Sequence, residues 1–370
     1  MAAPAETYRW PCDQCGADLS FAPGQTELVC GHCGHVQRIT ASPEPDRKQA
    51  LGELDLHAAL RNALPDRAMV TVRTTSCPSC GAQVEFDGTT HATRCPFCAS
   101  PVVVDTGSQR QIKPQAVVPF VLTEAQARAS MTDWLGGLWF APNGLQEYAR
   151  KGRSLSGIYV PYWTFDAATR SRYSGQRGDA YYETRTVTVQ VNGRNEQRQE
   201  QVRKIRWSRA SGTVARVFDD VLVMAATSLP RGHADGLEPW DLSALVPYRP
   251  DYLAGFQAEG YTVALDAGHG IARDKMAVVI DQDVRRDIGG DEQRVDSINT
   301  DFSRETFKHI LLPVWMAAYK YSGKSYRFIV NGQTGKVQGE RPYSVWKIAF
   351  AVLVAAVAIG VVAYFSQQGR

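Results

Sequence analysis

The sequence predicts a multidomain chain: two small four-cysteine modules, an α+β body rich in antiparallel hairpins, and one C-terminal apolar helix. Three observations predict it, namely eight cysteines at one repeated spacing, aromatic and β-branched alternation through the middle, and a long uncharged stretch near the end. The 370 residues are 44% hydrophobic and 21% charged, with a formal net charge of +3. Such values exclude a disordered chain, a collagen-like repeat and a polytopic membrane protein, and at about 150 residues per domain they predict two or three domains.

Met1 to Trp10 carries Glu6 and no apolar run, which is unlike a secretory signal and places the bulk of the chain in the cytoplasm. The cysteines then fall as Cys12, Cys15, Cys30 and Cys33 and again as Cys77, Cys80, Cys95 and Cys98. Each set reads C-x2-C, fourteen residues, C-x2-C, and none is left over. Cys15-Gly16-Ala17 matches Cys80-Gly81-Ala82, and Phe21 matches Phe86, at one offset, so the module is duplicated. A C-x2-C followed by glycine turns two thiolates towards one point, and two such turns complete a tetrahedron. The expectation is two four-cysteine zinc ribbons holding two structural Zn2+ ions, with all eight cysteines as ligands and no open coordination position. A module this small buries too little surface to fold alone, and a structural zinc contributes about 10–16 kcal/mol of apparent binding free energy. A cytoplasmic location argues against disulfides, and the absence of a βαβ context argues against a thioredoxin-like pair. Iron, in a rubredoxin-like or iron–sulfur site, stays open as the alternative metal. His32 and His35 lie in or beside the knuckle and read as solvent-facing bystanders.

Ala41 to Asp46 is a proline-rich acidic linker, followed by a predicted helix from Arg47 to Leu64 that Pro65 stops. Met69 to Thr75 alternates as a strand leading into the second module. Thr123 is a candidate N-cap for a helix carrying Ala127, Met131, Trp134 and Leu135 and ending near Gly136-Gly137. Leu155 to Phe165, Tyr181 to Val191 and Gln197 to Trp207 read as strands, the last two joined by the hairpin signal Asn192-Gly193. Ala264 to Ile288 reads as a second helix with Met276, Val279, Ile280 and Val284 on one side. Leu312 to Tyr321 and Tyr326 to Val330 are further strands, with a turn at Asn331-Gly332. The boundaries that follow are 1–40 and 69–105 for the ribbons, 41–68 for the linker and helix, 106–344 for the body and 345–370 for the anchor.

The body carries a looser repeat. Val160-Pro161-Tyr162-Trp163, Tyr173-Ser174-Gly175 and Val191-Asn192-Gly193 resemble Leu312-Pro313-Val314-Trp315, Tyr321-Ser322-Gly323 and Val330-Asn331-Gly332, which predicts two related hairpin units, the first with a longer insertion. Charge is uneven: Arg170 to Arg216 holds ten arginines and one lysine against four acidic residues, whereas Phe218 to Asp296 is acidic, with Asp281, Asp283, Asp287 and Asp291 close together. Either the two segments pack together or are simply solvated, or the arginine-rich segment meets anionic lipid headgroups; nucleic acid is a third partner class. The ribbons themselves lack the basic, aromatic-interleaved face of a nucleic-acid reader.

Ile348 to Phe365 is uninterrupted and uncharged. As a helix it spans about 27 Å, close to the hydrocarbon thickness of a bilayer. Trp346 and Tyr364 occupy interfacial positions, and Arg341 and Lys347 precede the span against Arg370 beyond it, so the expected topology is a single-pass tail anchor in the inner membrane.

No complete catalytic motif is found. Gly323-Lys324-Ser325 resembles the end of a phosphate-binding loop, but position 318 is Ala where that motif requires Gly, and an aromatic strand follows where a helix should start. Asp266 and His269 could pair as acid and base, yet no nucleophile accompanies them, and His57, His91, His233 and His309 stand isolated along the chain.

The tandem cysteine modules, Gly157 to Asp166 (GIYVPYWTFD), Tyr248 to Phe256 (YRPDYLAGF), Leu312 to Trp315 (LPVW), Val330 to Val337 (VNGQTGKV) and Gly339 to Pro342 (GERP) together resemble bacterial membrane-anchored tandem zinc-ribbon proteins. Some of these are called TFIIB-type zinc-ribbon proteins and others carry a primosomal protein N′-like label. The resemblance covers nearly the whole chain. It implies an anchor that recruits a phage-shock-protein-A-like coat protein and an SPFH (flotillin-like) protein in envelope stress. The functional expectation is a non-enzymatic, tail-anchored adaptor for cytoplasmic proteins. The alternative is a DNA-associated zinc-ribbon protein of the replication-restart kind, without helicase activity of its own.

Overall fold

Alternating aromatic and β-branched residues make the centre of the molecule a sheet built on three very long strands. The computed structural model describes residues 10–40, 43, 44, 47, 51–85, 92–95, 97, 100–103, 108–140, 155–191, 194–321, 324–340 and 343–368. In the body these include β1 (Ala116–Val117), α1 (Glu124–Gly136), β2 (Ser156–Val191), β3 (Arg194–Met224), β4 (Gln257–Ala258), α2 (Leu265–Ile288), β5 (Glu292–Tyr321) and β6 (Lys324–Asn331). Among the described residues β1 to β6 belong to one nine-stranded, mostly antiparallel sheet, in which β2 lies between β3 and β5. The fold is mixed α+β, with the cysteine modules at its N-terminal end and one long apolar helix, α3 (Val345–Gln368), at its C-terminal end.

The repeat seen in the sequence is larger in space than two hairpins. The order β1–α1–β2–β3 recurs as β4–α2–β5–β6. The two Pro-x-Trp motifs lie on neighbouring antiparallel strands, with Val160 opposite Leu312, Tyr159 opposite Pro313 and Pro161 opposite Leu311. Around this crossing the units exchange parts. β1 runs parallel to β5 and β4 runs parallel to β2. Trp163 Nε1 donates to Val263 O at 3.0 Å, just ahead of α2, and Trp315 Nε1 donates to Leu122 O at 2.9 Å, just ahead of α1. Each unit's tryptophan therefore pins the helix of the other, as a local two-fold requires. The Val-Asn-Gly part of the repeat does not correspond in the same way. Asn192-Gly193 lies outside the described residues, between the paired Val191 and Arg194 that end the first hairpin, whereas Asn331 is the last residue of β6 and takes part in the next turn. Short turn dipeptides recur wherever a strand ends, so their likeness carries little register.

The sheet's pleat divides the core. Ile158, Val160, Tyr162, Leu312 and Val314 point to one face, where they pack with Cys77, Ala82, Cys95 and Phe97 of the second cysteine module. Tyr159, Leu311 and Trp315 point to the other, against α1 and the Cys12, Leu19, Phe21, Leu28 and Cys30 group of the first module. Further along that face, Trp163, Phe165 and Phe307 lie beneath Ala272, Met276, Ile280 and Val284 of α2. The duplicated modules thus sit on opposite faces of one sheet.

Two expectations need correction or refinement. The predicted strands at Leu155 to Phe165 and Tyr181 to Val191 are one strand, because Gly175 and Gly178 do not break it. Gly178 pairs with Trp207, and a Cβ there would meet the indole at 3.0 Å, so the glycine is the seat of a ring lying across the strand. The predicted helix from Arg47 to Leu64 is interrupted: Arg47 is helical and its carbonyl accepts from Leu51 N–H at 2.9 Å, and the α-helix Leu56–Leu60 follows after a break. Leu54–Asp55 instead pairs with Phe307 and Thr306, and the Asp55 carboxylate then caps the N–H of Ala58 at 2.7 Å. The helices at Thr123 and Ala264 start where expected, the first with a Thr123/Gln126 capping box.

The opposed charge segments meet at several points. Arg216 holds Asp283 through two hydrogen bonds of 2.5 and 2.7 Å, the Tyr173 hydroxyl donates to Asp287, and the Ala180 N–H donates to Asp291 at 2.7 Å. Beyond Gly178, opposite the start of β5 at Glu292, β2 and β3 continue alone among the described residues as an arm from Asp179↔Arg206 to Val191↔Arg194. At about 3.3 Å per residue this arm extends roughly 40 Å.

His309 is buried between Trp163 and Tyr261, with Nδ1–H donating to Ile112 O at 2.8 Å. Burial pushes its imidazole down to about 4. As pH falls from about 6.5, the ordinary value, to about 4, the unfolded chain takes up a proton that the folded chain refuses, and stability is lost across that window. In pH-dependent thermal melts, His309→Asn is expected to flatten this acid-side loss. Trp163→Ala removes a fully buried indole and its hydrogen bond, and is expected to cost about 3–5 kcal/mol in chemical denaturation.

Candidate metal centres

Each cysteine pair is shaped by backbone hydrogen bonds that its spacing allows. In the first module Cys12 N–H donates to Ala17 O at 2.7 Å and Gly16 N–H returns to Cys12 O at 2.8 Å; Cys30 N–H donates to His35 O at 2.8 Å and Gly34 N–H to Cys30 O at 3.0 Å. Gly16 and Gly34 have φ of 74° and 73°, the left-handed conformation that closes these turns and favours glycine. The pairing of Leu19 with Cys30 then brings the two turns together.

The four sulfurs of Cys12, Cys15, Cys30 and Cys33 lie within 4.8 Å of one another, with Cys12–Cys33 at 3.6 Å and Cys15–Cys30 at 3.5 Å. A disulfide needs about 2.05 Å. The edge of a tetrahedron of sulfurs around zinc, with Zn–S bonds of about 2.3 Å, is about 3.8 Å, so the donor set fits a tetrahedral thiolate-binding ion. The electrostatics agree. N–H groups of Cys33 and His32 hold the Cys30 thiol down at about 6, while Cys33, although it accepts from the backbone at His35, is pushed up to about 12 chiefly by the Cys15 sulfur and by desolvation. Four thiolates at these distances need a cation to share. His32 is exposed and joins no ligand cluster among the described residues, in keeping with its reading as a bystander.

The second module repeats the geometry. Cys77 N–H donates to Ala82 O and Gly81 N–H to Cys77 O, both at 2.8 Å, and Gly81 has φ 75°. Cys77, Cys80 and Cys95 form one cluster, with Cys80–Cys95 at 3.6 Å. Cys98, the expected fourth ligand, lies outside the described residues. This module is tied to the body by Gly260 N–H donating to Gln83 O at 3.1 Å. Next to that contact Glu259 is buried with one oxygen accepting from Ser228 Oγ at 2.8 Å; burial raises its carboxyl well above the ordinary value, and the nearby Cys95 sulfur adds to the rise.

Two further polar clusters were not legible in the sequence. Glu53, Asp166 and Asp219 bring three carboxylates together. Lys308 brings a cation to this cluster, its Nζ 3.4 Å from Glu53 and 3.0 Å from the neighbouring Asp220. Burial raises Asp166 to about 6. The second cluster centres on buried Glu305. His269, expected to pair with Asp266, instead meets Glu305 at 2.8 Å; His57, which looked isolated, reaches it at 3.2 Å and Arg273 at 3.1 Å. No local spacing could announce this, because the carboxylate comes from a strand 36 residues after His269. Of the Gly323-Lys324-Ser325 triplet, Gly323 lies outside the described residues, while Lys324 pairs with Tyr321 and opens a strand, not a helix.

Native mass spectrometry of the full chain is expected to find two zinc ions, and one after Cys30→Ser. A folded chain without metal would contradict the assignment. Chelation is expected to unfold the first module, since the ion supplies about 10 kcal/mol or more of its folding free energy.

No protein-family model matches the chain, and no solved structure matches it. It is a distant homologue of the uncharacterized protein YdjG of Bacillus subtilis (strain 168), with 25% identity over 350 residues, a match covering 92% of each chain.

Proposed function

We propose that the chain is a non-enzymatic, single-pass membrane-anchored zinc-ribbon adaptor, which brings cytoplasmic proteins to the inner membrane. The observation that carries this reading is the contrast between α3 and everything before it. Val345–Tyr364 has a mean hydropathy of 2.5 with no part of it buried, so the body offers this helix no protein environment among the described residues. An all-round apolar helix left outside the core is suited to lipid. The cysteine modules, in contrast, are packed onto the two faces of the sheet. The first keeps an outer surface free for a partner, since Cys15 and Cys33 are exposed while Cys12 and Cys30 are buried.

Lys308 and Glu305 each hold several elements together through ion pairs, as parts of a scaffold do. The partners that best suit the reading are the coat and SPFH-type proteins which the family resemblance implies, with the arginine-rich strands available to anionic lipid.

A pull-down from solubilised membranes comparing the wild type with Cys77→Ser tests the adaptor role, with loss of a specific protein partner at equal abundance as the expected result. Binding of the full chain in detergent to duplex DNA is expected to be weak. Tight binding whose logarithm falls steeply with that of salt would replace the adaptor by the DNA-associated reading.

A further inference from the structure

We propose that the body touches the bilayer at a second place: Trp139 and Phe140, just beyond the end of α1, enter the headgroup layer of the leaflet that α3 enters. This rests on α3 being a membrane span and adds a lipid-facing surface to it. The geometry begins with one hydrogen bond. Ser344 N–H, the residue before α3, donates to Phe140 O at 2.8 Å. The segment after α1 is thereby fixed to the point where the chain starts its crossing, and any bilayer that receives Val345 lies against it.

The side chains at this point are those an interface takes. Trp139 is 65% exposed and Phe140 39%, in edge-to-face contact at 5.4 Å, while Tyr343 is 57% and Trp346 87% exposed. Four large aromatics around one backbone hydrogen bond form an apolar patch with polar tips, the combination that favours the headgroup region over either water or hydrocarbon. The platform is rigidly mounted. α1 buries Ala127, Met131 and Leu135 in the core, and Trp134 packs edge-on against Phe328 of β6 at 5.6 Å. A bilayer, rather than a protein, is the occupant because the patch is continuous with the first turn of the span.

The test uses the full chain in nanodiscs of phosphatidylcholine and phosphatidylglycerol brominated near the top of the acyl chains, with Trp139→Phe and Trp346→Phe as comparisons. Shallow bromines are expected to quench wild-type emission, and each substitution is expected to remove its own quenched component. If Trp346 accounts for all of the quenching and Trp139→Phe changes nothing, the second contact is wrong while the anchor stands. If neither tryptophan is quenched, the membrane span fails and the platform with it. Both positions are exposed and both substitutions conservative, so folding is preserved, which circular dichroism checks.

Discussion

Everything in the body depends on the antiparallel crossing of the two Pro-x-Trp strands. Val160 faces Leu312 there, and the prolines stand one step to either side. A proline removes a ladder donor, so two of them at the centre of a sheet are unusual. The tryptophans beside them tie the crossing to the helices: each indole N–H donates to a carbonyl just ahead of a helix. The crossing therefore fixes both the sheet register and the placement of α1 and α2. Because side chains alternate along the strands, a one-residue slip would turn Trp163 and Trp315 to the wrong face and release both helices at once.

The same alternation couples the cysteine modules to the core. Cys77 and Cys95 share a cluster with Val160 and Leu312, while Cys12 and Cys30 share one with Tyr159 and Trp315. Neither module is an independent bead on a linker. Metal held at either site stabilises a hydrophobic contact with its own face of the sheet. The carboxylate of Glu305 plays a comparable part without metal, drawing His57 of the short helix Leu56–Leu60 and His269 and Arg273 of α2 onto one strand.

Local chemistry was the legible part of the sequence. Cysteine spacing gave the first sulfur cluster in full, a capping residue gave the start of α1, apolar periodicity gave α2, and an unbroken apolar run gave α3. What escaped was whatever depends on register. The strand between Phe165 and Tyr181 was missed, since the role of Gly178 as the seat of a facing ring depends on the residue opposite. The helix expected from Arg47 to Leu64 is interrupted because Leu54–Asp55 pairs as a strand with Phe307 and Thr306. Glu305 and Lys308 were invisible as organising charges, their partners lying tens to hundreds of residues away.

The arm formed by β2 and β3 beyond Gly178 has no third strand among the described residues, and its side chains are largely exposed. Bare strand edges invite pairing with the same edge of another copy. Confinement to a membrane surface would make such meetings far more frequent than in free solution, because diffusion there is two-dimensional. Arg185, Arg198, Glu200, Arg203 and Lys204 are distributed along the arm, and charged side chains on a strand edge disfavour edge-to-edge pairing. The composition of the arm thus works against copies of the chain zipping into a continuous sheet.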